Sequence, residues 1–343
     1  MTIDTAPVQA AGDAWQRTLD ASSGARLAHA PQWRSVIAGA YAHAPLYLQA
    51  AADDGAHGVL PAFIVRRPLF GTVVTSMPFL DSGGPCSTSS AVDTFLVHRL
   101  IAEARQHGAR LVEIRSGTRL AIDAEPLSSK VNMTLALDDP AALWRRLGKG
   151  VRNQIRKAER AGLTVEFDGQ DSLAAFYDTF AERMHDLGSP VHGLPFLRHV
   201  LDAFGPLARV AIVKKKHAAI GGLVALRFKD RVVVPWSSCL KEHFTLCPNM
   251  LLYWEAIKTA CREGCARFDF GRSTRDSGTF HFKRQWGAEE EPLWWYRIPI
   301  GAGRTRPDPS ASSSGDLLAR MWQRLPRSVA RHVGPSLRRY LIQ

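Results

Sequence analysis

One lysine in the second half of the chain is well placed to act on negative charge. Lys283 lies in the run Phe280-His281-Phe282-Lys283-Arg284-Gln285-Trp286, among aromatic side chains. A cation held between aromatic rings is partly dehydrated, so it can stabilise charge that develops in a reaction or bind an anionic ligand. The alternative is a β-hairpin whose lysine extends over the rings into water. Lys283 is therefore the candidate catalytic residue, and Phe282 and Trp286 are predicted to shape a dry pocket around it.

A short apolar strand precedes this run and ends in polar residues. Residues 267–270 predict a strand, which Gly271-Arg272-Ser273 and a glycine-led loop connect to Lys283. Asp269 is a candidate either to accept a proton or to orient Arg272 through an ion pair, and the structural role is favoured. Arg272 and Ser273 are candidate ligands for a phosphate or carboxylate.

Three more residues join the predicted substrate-binding set. A helix is predicted to begin at Asn249, where the helix N-terminus could hold an anion; Asn249 could equally be a simple N-cap. Trp236, near the end of a predicted strand, and Tyr253, on the predicted helix, complete the set.

A strongly basic helix is predicted upstream of these residues. Residues 145–160 contain seven basic residues and one acidic residue, and Arg152, Arg156 and Arg160 recur every four residues. Like charges at this spacing repel one another on a helix, which favours an anionic ligand for this face. Arg152, Arg156 and Lys157 are therefore candidate phosphate ligands, with a plain solvated face as the alternative.

The composition indicates a globular protein with an acidic partner. The chain has 343 residues, 45% of them hydrophobic and 22% charged, and a formal net charge of +12. Such an excess of positive charge favours nucleic acid, a nucleotide-linked substrate or an anionic membrane surface as partner. Residues 1–14 lack the basic start of a secretory signal, and no apolar run is long enough to span a membrane. We therefore expect a cytoplasmic location.

The cysteines and histidines suggest neither a metal site nor covalent catalysis. The five cysteines are scattered and lack the paired spacing of a zinc site, so we predict no metal, no disulfide framework and no permanently bound cofactor. Because no Ser-His-Asp or Cys-His arrangement stands out, a group transfer would proceed by direct attack.

The chain repeats one layout of elements twice. Each half predicts three strands, a helix that a glycine ends, and a further strand; the predicted strands are 45–52, 57–66, 72–77 and 111–114 in the first half, and 208–213, 218–228, 231–237 and 267–270 in the second. This pattern predicts an α/β (α+β) fold of two similar domains, each with a mixed, mostly antiparallel sheet flanked by helices. The predicted boundaries are 1–137, 138–300, a linker at 301–315 and a basic amphipathic tail at 316–343.

The tail allows three interpretations. It combines arginines with apolar residues at helical spacing, and Pro326 and Pro335 are predicted to break it. It could anchor the protein peripherally on an anionic inner membrane, pack against the body of the protein, or bind a partner.

A series of short motifs runs along residues 30–298: Gln32-Trp33-Arg34, Leu69-Phe70-Gly71, Ser76-Met77-Pro78-Phe79, Gly83-Gly84, Val151-Arg152-Asn153-Gln154-Ile155-Arg156-Lys157-Ala158, Pro235-Trp236, Pro248-Asn249-Met250, residues 268–274 and residues 280–287. Taken in this order, they resemble the FemAB/FemX family of aminoacyl- and acyltransferases, and more narrowly the FemAB-like proteins found beside exosortase (PEP-CTERM) and exopolysaccharide systems.

The resemblance implies two tandem GNAT-like domains and a catalytic Phe-Lys pair near the end of the second. That pair falls on Phe282-Lys283, where the lysine would stabilise the oxyanion formed as an amine attacks an aminoacyl ester. Family members typically use aminoacyl-tRNA as donor and a nucleotide- or lipid-linked cell-wall precursor as acceptor.

The sequence lacks two features by which related proteins bind their acyl donor. It has no long heptad stretch for a tRNA-binding coiled-coil arm, and no Q/R-x-x-G-x-G/A loop of the kind that binds acetyl-CoA. The donor is thus either aminoacyl-tRNA or acyl-CoA. The predicted function is N-acyl transfer to an amine on an anionic cell-envelope or exopolysaccharide precursor. The alternatives are an acyl-CoA-dependent N-acetyltransferase of polysaccharide biosynthesis and a non-catalytic protein that binds an anionic polysaccharide or lipid precursor.

Overall fold

The computed structural model describes residues 3–7, 12–68, 70–127, 129–301 and 313–342. Leu69 of the resemblance and most of the predicted linker lie outside these residues. The chain divides into two compact units, of which unit 1 comprises Met1–Val131, Glu291–Arg306 and Tyr340–Gln343, and unit 2 comprises Asn132–Glu290 and Pro307–Arg339.

The described part of the chain contains helices and strands in alternation. The α-helices are α1 Asp13–Ala21, α2 Gln32–Tyr41, α3 Ser90–Gln106, α4 Pro140–Arg146, α5 Lys149–Arg160, α6 Leu173–Asp186, α7 Leu194–Phe204, α8 Pro248–Arg262, α9 Gly278–Arg284, α10 Ser313–Gln323 and α11 Arg327–Arg338. The strands are β1 Ile3–Pro7, β2 Ala44–Pro45, β3 Leu48–Ala52, β4 His57–Leu60, β5 Phe63–Arg67, β6 Gly71–Thr75, β7 Cys86–Ser87, β8 Ala109–Ser116, β9 Lys130–Ala136, β10 Leu163–Asp168, β11 Ala208–Lys215, β12 Ala218–Phe228, β13 Arg231–Cys239, β14 Arg267–Thr274, β15 Glu289–Pro292 and β16 Trp294–Pro299.

Unit 1 is built on two sheets that share a core with α3. One sheet has the order β1-β3-β4-β7 and the other β16-β8-β6-β5-β2. The predicted single strand 57–66 is wrong, because Pro61 separates β4 from β5 and each belongs to a different sheet. Proline has no N–H for a sheet ladder, so the chain changes pairing partners there. Strand β16, which comes late in the chain, also belongs to unit 1, where it pairs antiparallel with β8.

Unit 2 is built on a seven-stranded sheet with the order β10-β11-β12-β13-β14-β9-β15. Strands β10 to β13 form an antiparallel meander, and α8 then crosses over to β14, which runs parallel to β13. Trp236 of β13 packs against Phe196 of α7, whereas its neighbour Ser237 is hydrogen-bonded to Tyr253 of α8. Since successive side chains of a strand point to opposite faces, α7 and α8 cover opposite faces of the sheet.

The same local arrangement occurs in both units. In unit 1, α3 connects the parallel strands β6 and β8; in unit 2, α8 connects β13 and β14. Both helices are followed by a glycine in the left-handed region, Gly108 with φ of 63° and Gly264 with φ of 72°. These glycines end the helices as the sequence predicted.

The two tail helices pack against unit 2. Gly188 would clash with Ala319 if it carried a side chain, and Arg331 forms an ion pair with Asp178 of α6 at 2.6 Å. Pro335 lies inside α11, so the prediction that it breaks the tail is wrong. Among the described residues, none of the helices combines the length and apolar character needed to cross a bilayer.

Candidate active site

The parallel strands β13 and β14 separate halfway along their length. Their paired register consists of Arg231 with Arg267, Val232 with Phe268 and Val233 with Asp269, although β13 continues to Cys239 and β14 to Thr274. Beyond this point the two strands are parted by a gap and no longer form a ladder with each other, so their backbone groups take other hydrogen-bond partners: a side chain, water or a ligand. The gap is therefore a natural site for an extended ligand.

An irregularity in β13 accounts for the separation. The register of β12 and β13 shifts between Val224 and Leu226, opposite Pro235. A bulge adds a residue to one strand and bends it, and proline is tolerated there because it has no N–H to place in a ladder. Pro235 thus lies where β13 turns away from β14.

A buried polar cluster fixes the end of β14. The carboxylate of Asp269 accepts hydrogen bonds from Asn132 Nδ2 at 2.7 Å and from the backbone N–H of Gly271 at 2.7 Å, and it pairs with Arg231 at 3.3 Å. Gly271 has a φ of 75°, a conformation that favours glycine. Three donors thus occupy the carboxylate, and the ion pair of Asp269 is with Arg231. Its two predicted roles, as a proton acceptor and as the ion-pair partner of Arg272, stay predictions.

Lys283 is buried and directed at this end of β14. It lies on the short helix α9, so the prediction of a loop here is wrong; Ser277 caps the helix by accepting a hydrogen bond from Phe280 N. The side chain of Lys283 is 7% exposed, and its Nζ donates hydrogen bonds to the carbonyl oxygens of Gly271 at 2.9 Å and Arg272 at 2.8 Å. The ammonium is thus held out of bulk water next to the gap between β13 and β14.

Aromatic side chains surround the base of α9. Tyr253 of α8 contacts Phe270 at 5.4 Å and Phe282 at 5.3 Å between ring centroids, and Phe282 contacts Trp286 at 6.4 Å. Burial raises the pKa of Tyr253 to about 12, so its phenol stays protonated at neutral pH. The structure therefore brings Phe282, Trp286 and Tyr253 into one cluster beside the helix that carries Lys283.

Trp236 belongs to a different group on the other face of the sheet. Its ring lies edge-on to Phe196 at 5.6 Å and to His192 at 6.0 Å. His192 Nε2 accepts a hydrogen bond from Arg338 Nε at 3.2 Å, and burial together with Arg338 lowers the pKa of His192 well below its usual value. His192 is therefore neutral, and its acceptor nitrogen is engaged.

Three buried polar atoms near the gap lack a hydrogen-bond partner. They are Ser238 Oγ on β13, Ser273 Oγ on β14 and Trp286 Nε1 just after α9. Buried polar groups are nearly always satisfied in folded proteins, so each such atom calls for an explanation. Ser238 and Ser273 belong to the parts of β13 and β14 beyond the paired register, so their hydroxyls are candidates for ligand contacts.

The remaining predicted site residues are Asn249 on α8 and three basic residues on α5. Asn249 is inside α8, whose N-cap is Cys247, so its interpretation as an N-cap is wrong. The basic face of α5 exposes Arg156 and Lys157 and half-buries Arg152, while Val151, Ile155 and Ala158 form its buried side. Arg156 lies 5.5 Å from the centroid of the Trp144 ring. Their role as phosphate ligands stays a prediction.

In unit 1, the parallel strands β6 and β8 correspond to β13 and β14, and they stay hydrogen-bonded to each other. Beyond the last pair of β6 and β8, Ser76 N donates to Glu113 O at 2.9 Å and Arg115 N donates to Ser76 Oγ at 2.8 Å. The guanidinium of Arg115 is buried, pairs with Glu113 at 2.7 Å and donates to the carbonyl oxygen of Leu80 at 2.7 Å. Hydrogen bonds between β6 and β8 thus continue past the point that corresponds to the separation of β13 and β14 in unit 2.

Unit 1 carries a polar cavity of its own, of about 330 Å³. Hydroxyl groups, Arg26, His29 and Asp93 line it, and none of the predicted site residues does. Burial raises the pKa of Asp93, and a hydrogen bond with Ser87 opposes this shift. Among the described residues, no group of three or more His, Cys, Asp or Glu side chains is placed to hold a metal ion.

Sequence reasoning missed the residues that position the site. Asn132 and Arg231 hold Asp269, Ser238 contributes an unsatisfied hydroxyl, and Pro235 marks the bend in β13. Pro235 inside an otherwise regular strand pattern was the available signal. Asn132 gave no signal, because it is 137 residues away from Asp269 in sequence.

Comparison with known proteins identifies the domain type. Residues 145–284 match the family model described as "Acetyltransferase (GNAT) domain". No curated protein matches the chain. This match confirms an acyltransferase domain within unit 2, as predicted.

Solved structures of low sequence identity share the fold. A structure of FemX has a TM-score of 0.65 at 13% identity, covering 86% of this chain and 97% of that one. A tandem GNAT protein from the clavulanic acid biosynthesis pathway has a TM-score of 0.57 at 13% identity, covering 88% and 100%. The C-terminal domain of a putative lysylphosphatidylglycerol synthetase from Agrobacterium fabrum has a TM-score of 0.52 at 13% identity, covering 84% and 93%. The predicted GNAT-like α/β fold is confirmed.

Proposed function

We propose that the protein is an N-acyltransferase whose reaction centre is the gap between β13 and β14. The observation that carries the proposal is this gap itself, which lies beside the buried ammonium of Lys283 within residues that match an acetyltransferase domain. Unit 1, whose corresponding strands stay hydrogen-bonded, would support the fold or the acceptor rather than the reaction.

The proposed reaction is direct attack of an amine on an acyl donor. The amine nitrogen forms a bond with the carbonyl carbon, and the carbonyl oxygen becomes an oxyanion. The C–O bond of an ester donor or the C–S bond of a thioester donor then breaks, and the proton lost by the amine ends on the departing oxygen or sulfur. A positioned cation in a site shielded from water lowers the energy of such an intermediate.

Lys283 is the proposed oxyanion stabiliser. Its ammonium is already desolvated and fixed to the carbonyls of Gly271 and Arg272. The aromatic cluster of Tyr253, Phe282 and Trp286 would exclude water from its surroundings. Asp269 acts through Gly271, whose N–H it holds, and is therefore a positioning residue.

Two donor classes fit this proposal. Aminoacyl-tRNA is supported by the ordered FemAB/FemX motifs and by the net charge of +12. Acyl-CoA is the second candidate, because the matching domain is described as an acetyltransferase. The acceptor we propose is an amine on a nucleotide- or lipid-linked precursor of the cell envelope or of an exopolysaccharide. An association with exosortase (PEP-CTERM) systems rests on the motifs alone.

The test is a matrix of donors and acceptors. Purified protein is offered charged tRNA, acetyl-CoA and longer acyl-CoAs with a panel of amines, and products are followed by mass spectrometry. We expect amide product from one donor class, and a severe loss of product with Lys283→Ala. No product from any donor would favour a binding protein over an enzyme, and equal product from Lys283→Ala would remove Lys283 from the mechanism.

A further inference from the structure

The polar cavity of unit 1 is large enough to hold a small molecule. Its volume is about 330 Å³, which at about 30 Å³ per water corresponds to about ten waters or one compact polar ligand. Residues at the end of α1, around β7, in the first turn of α3 and in the turn after β8 form its walls, and all of them belong to unit 1. We call it the unit 1 cavity.

Hydroxyl groups dominate the lining of the unit 1 cavity. Among the described residues that line it, none is Trp, Tyr or Phe, so a nucleobase or an acyl chain would find no apolar surface to pack on. A hydroxyl both donates and accepts hydrogen bonds, and a wall of hydroxyls therefore suits a ligand whose own groups do the same. The hydroxyl-bearing residues are Ser22, Ser23, Ser87, Thr88, Ser116 and Thr118.

The carboxylate of Asp93 has unused capacity to accept hydrogen bonds. Asp93 lines the cavity, and its Oδ1 is buried without a hydrogen-bond partner among the described residues. Ser87 forms a hydrogen bond with this carboxyl group, but its hydroxyl also lies 2.6 Å from the carbonyl oxygen of Ser89, and a hydroxyl has a single proton to share. A buried acceptor without a donor is costly, so a ligand that donates to Oδ1 would be stabilised there.

The two basic side chains of the lining are instead engaged by the protein itself. His29 Nδ1 accepts a hydrogen bond from Arg26 N at 2.9 Å, so its Nε2 carries the proton and donates to the carbonyl oxygen of Gly84 at 2.9 Å. Arg26 Nη1 donates to the carbonyl oxygens of Ser23 at 3.1 Å and Ala25 at 3.2 Å. These contacts fix the wall of the cavity, whereas Asp93 is the side chain that calls for a donor.

The charges of the lining favour a neutral ligand. Arg26 and Asp93 carry opposite charges, and His29 is neutral because a backbone N–H donates to its Nδ1. An anion would be repelled by the carboxylate of Asp93, and a cation would be repelled by the guanidinium of Arg26. A neutral molecule that carries several hydroxyl groups avoids both penalties, and it can donate to Oδ1 while it exchanges hydrogen bonds with the serine and threonine side chains.

We propose that the unit 1 cavity binds a neutral sugar, with Asp93 accepting hydrogen bonds from the sugar hydroxyl groups. A single sugar ring is polar around its whole edge, as the lining requires. Because the cavity offers no aromatic ring for stacking, we expect weak binding, in the millimolar range. This inference goes beyond the proposed acyl transfer and does not depend on it, since sugar binding is measured without an acyl donor or an amine.

The test measures sugar binding to the full-length protein by saturation-transfer difference NMR. The probes are the neutral hexoses glucose, galactose and mannose, followed by the uronic acid and the amino sugar that correspond to the hexose that binds. We expect at least one hexose to bind. Its uronic acid should bind at least about tenfold more weakly, because a second carboxylate would lie close to Asp93. Its amino sugar should bind no more tightly than the hexose.

Two variants locate the binding site. Asp93→Asn keeps the size of the side chain but removes its charge, and it should weaken hexose binding about tenfold, because hydrogen bonds to charged acceptors are the stronger ones. Gly117 lines the cavity, and a Cβ added there meets no atom within 4 Å, so Gly117→Phe can be accommodated and should hinder entry of the sugar. The matched control is Asp123→Asn, the same substitution at an exposed aspartate of unit 1 outside the lining. It should leave hexose binding unchanged, and melting curves confirm that each variant is folded.

Three results would overturn the proposal. If none of the three hexoses binds at high millimolar concentration, the cavity is a water-filled space. If Asp93→Asn and Gly117→Phe both bind the hexose as the wild type does, the sugar lies elsewhere on the protein. If the amino sugar binds more tightly than the neutral hexose, Asp93 serves an ammonium ligand instead.

Discussion

Replacing Lys283 with methionine removes a buried charge while keeping most of the aliphatic volume. The carbonyl oxygens of Gly271 and Arg272, now at 2.9 and 2.8 Å from Nζ, would lose their donor. A buried acceptor left unsatisfied costs about 1–3 kcal/mol, and Arg272 is only partly buried, so we expect about 2–4 kcal/mol of lost stability. For a domain of this size that is a decrease of about 5–12 °C in the midpoint of unfolding.

The catalytic consequence is separable from this structural one. Loss of an oxyanion donor typically lowers kcat by about 10²- to 10³-fold, and we expect that range for Lys283→Met well below its unfolding temperature. Lys283→Arg retains a cation that can reach the same carbonyls, so it should recover much of the stability. Lys283→Arg should recover less of the rate, because a guanidinium is larger than an ammonium and its charge is more delocalised.

The matched control is Lys258→Met on α8. Lys258 forms a partly exposed ion pair with Glu255 at 2.6 Å, and such a pair contributes at most about 1 kcal/mol. Rates are measured with the donor that gives product, and folding is checked by near-ultraviolet circular dichroism. A Lys283→Met protein that is destabilised yet turns over at the wild-type rate would refute the catalytic role and leave Lys283 as an anchor of α9.

Further predictions concern the hydroxyl at the gap, the basic helix, the closed end of unit 1 and a buried histidine. Ser273→Ala removes an unsatisfied hydroxyl, so unfolding should show a change in stability of less than about 1 kcal/mol while the KM for the donor rises. Combining Arg152→Ala with Arg156→Ala should weaken donor or acceptor binding and flatten its salt dependence, and unchanged affinity would leave a solvated face. Arg115→Met leaves the buried Glu113 with its longer contact to Arg297 at 3.8 Å in place of the 2.7 Å pair and should cost about 3 kcal/mol of stability, with kcat unchanged at temperatures where the variant is folded. The pKa of His192 is lower in the folded than in the unfolded protein, so the unfolded state binds an extra proton at low pH. The free energy of unfolding should therefore fall by up to about 1.4 kcal/mol per pH unit below about pH 6.5. Denaturant unfolding at several pH values should show that this dependence is absent in His192→Gln.

The fold was largely predictable because its signals are local. Strand β12 begins and ends where the apolar pattern and the turn at Lys229-Asp230 place it, and Asp139 caps α4 by accepting hydrogen bonds from Ala141 and Ala142. The error at residues 57–66 came from a single proline, whose effect depends on which strand each half pairs with. The local sequence pattern predicts where a strand lies but not which other strand it pairs with.

The site was predictable only in part, because its geometry depends on distant contacts. Phe282, Trp286 and Tyr253 follow from residue type and resemblance, and the structure brings their rings together, whereas the role of Lys283 stays a prediction. Helix α9 was taken for a loop, although Ser277 in front of Gly278 is an N-cap signal that could have identified it. The separation of β13 from β14 required knowledge of the sheet register, which no short motif carries.

The contrast between the two units explains how a duplicated layout can leave parallel strands parted in unit 2 and joined in unit 1. In unit 1, a hydrogen-bonded serine and a buried arginine–glutamate pair occupy the position where two parallel strands would otherwise part. Opening that position would break the hydrogen bonds that Ser76 and Arg115 make across it, so the closed state is favoured. In unit 2, Pro235 and the left-handed Gly271 lie where β13 and β14 part. Lys283 donates hydrogen bonds to the carbonyl oxygens of Gly271 and Arg272 at that point. The cation that fixes the opening is therefore also the one placed to meet the negative charge that acyl transfer would create there.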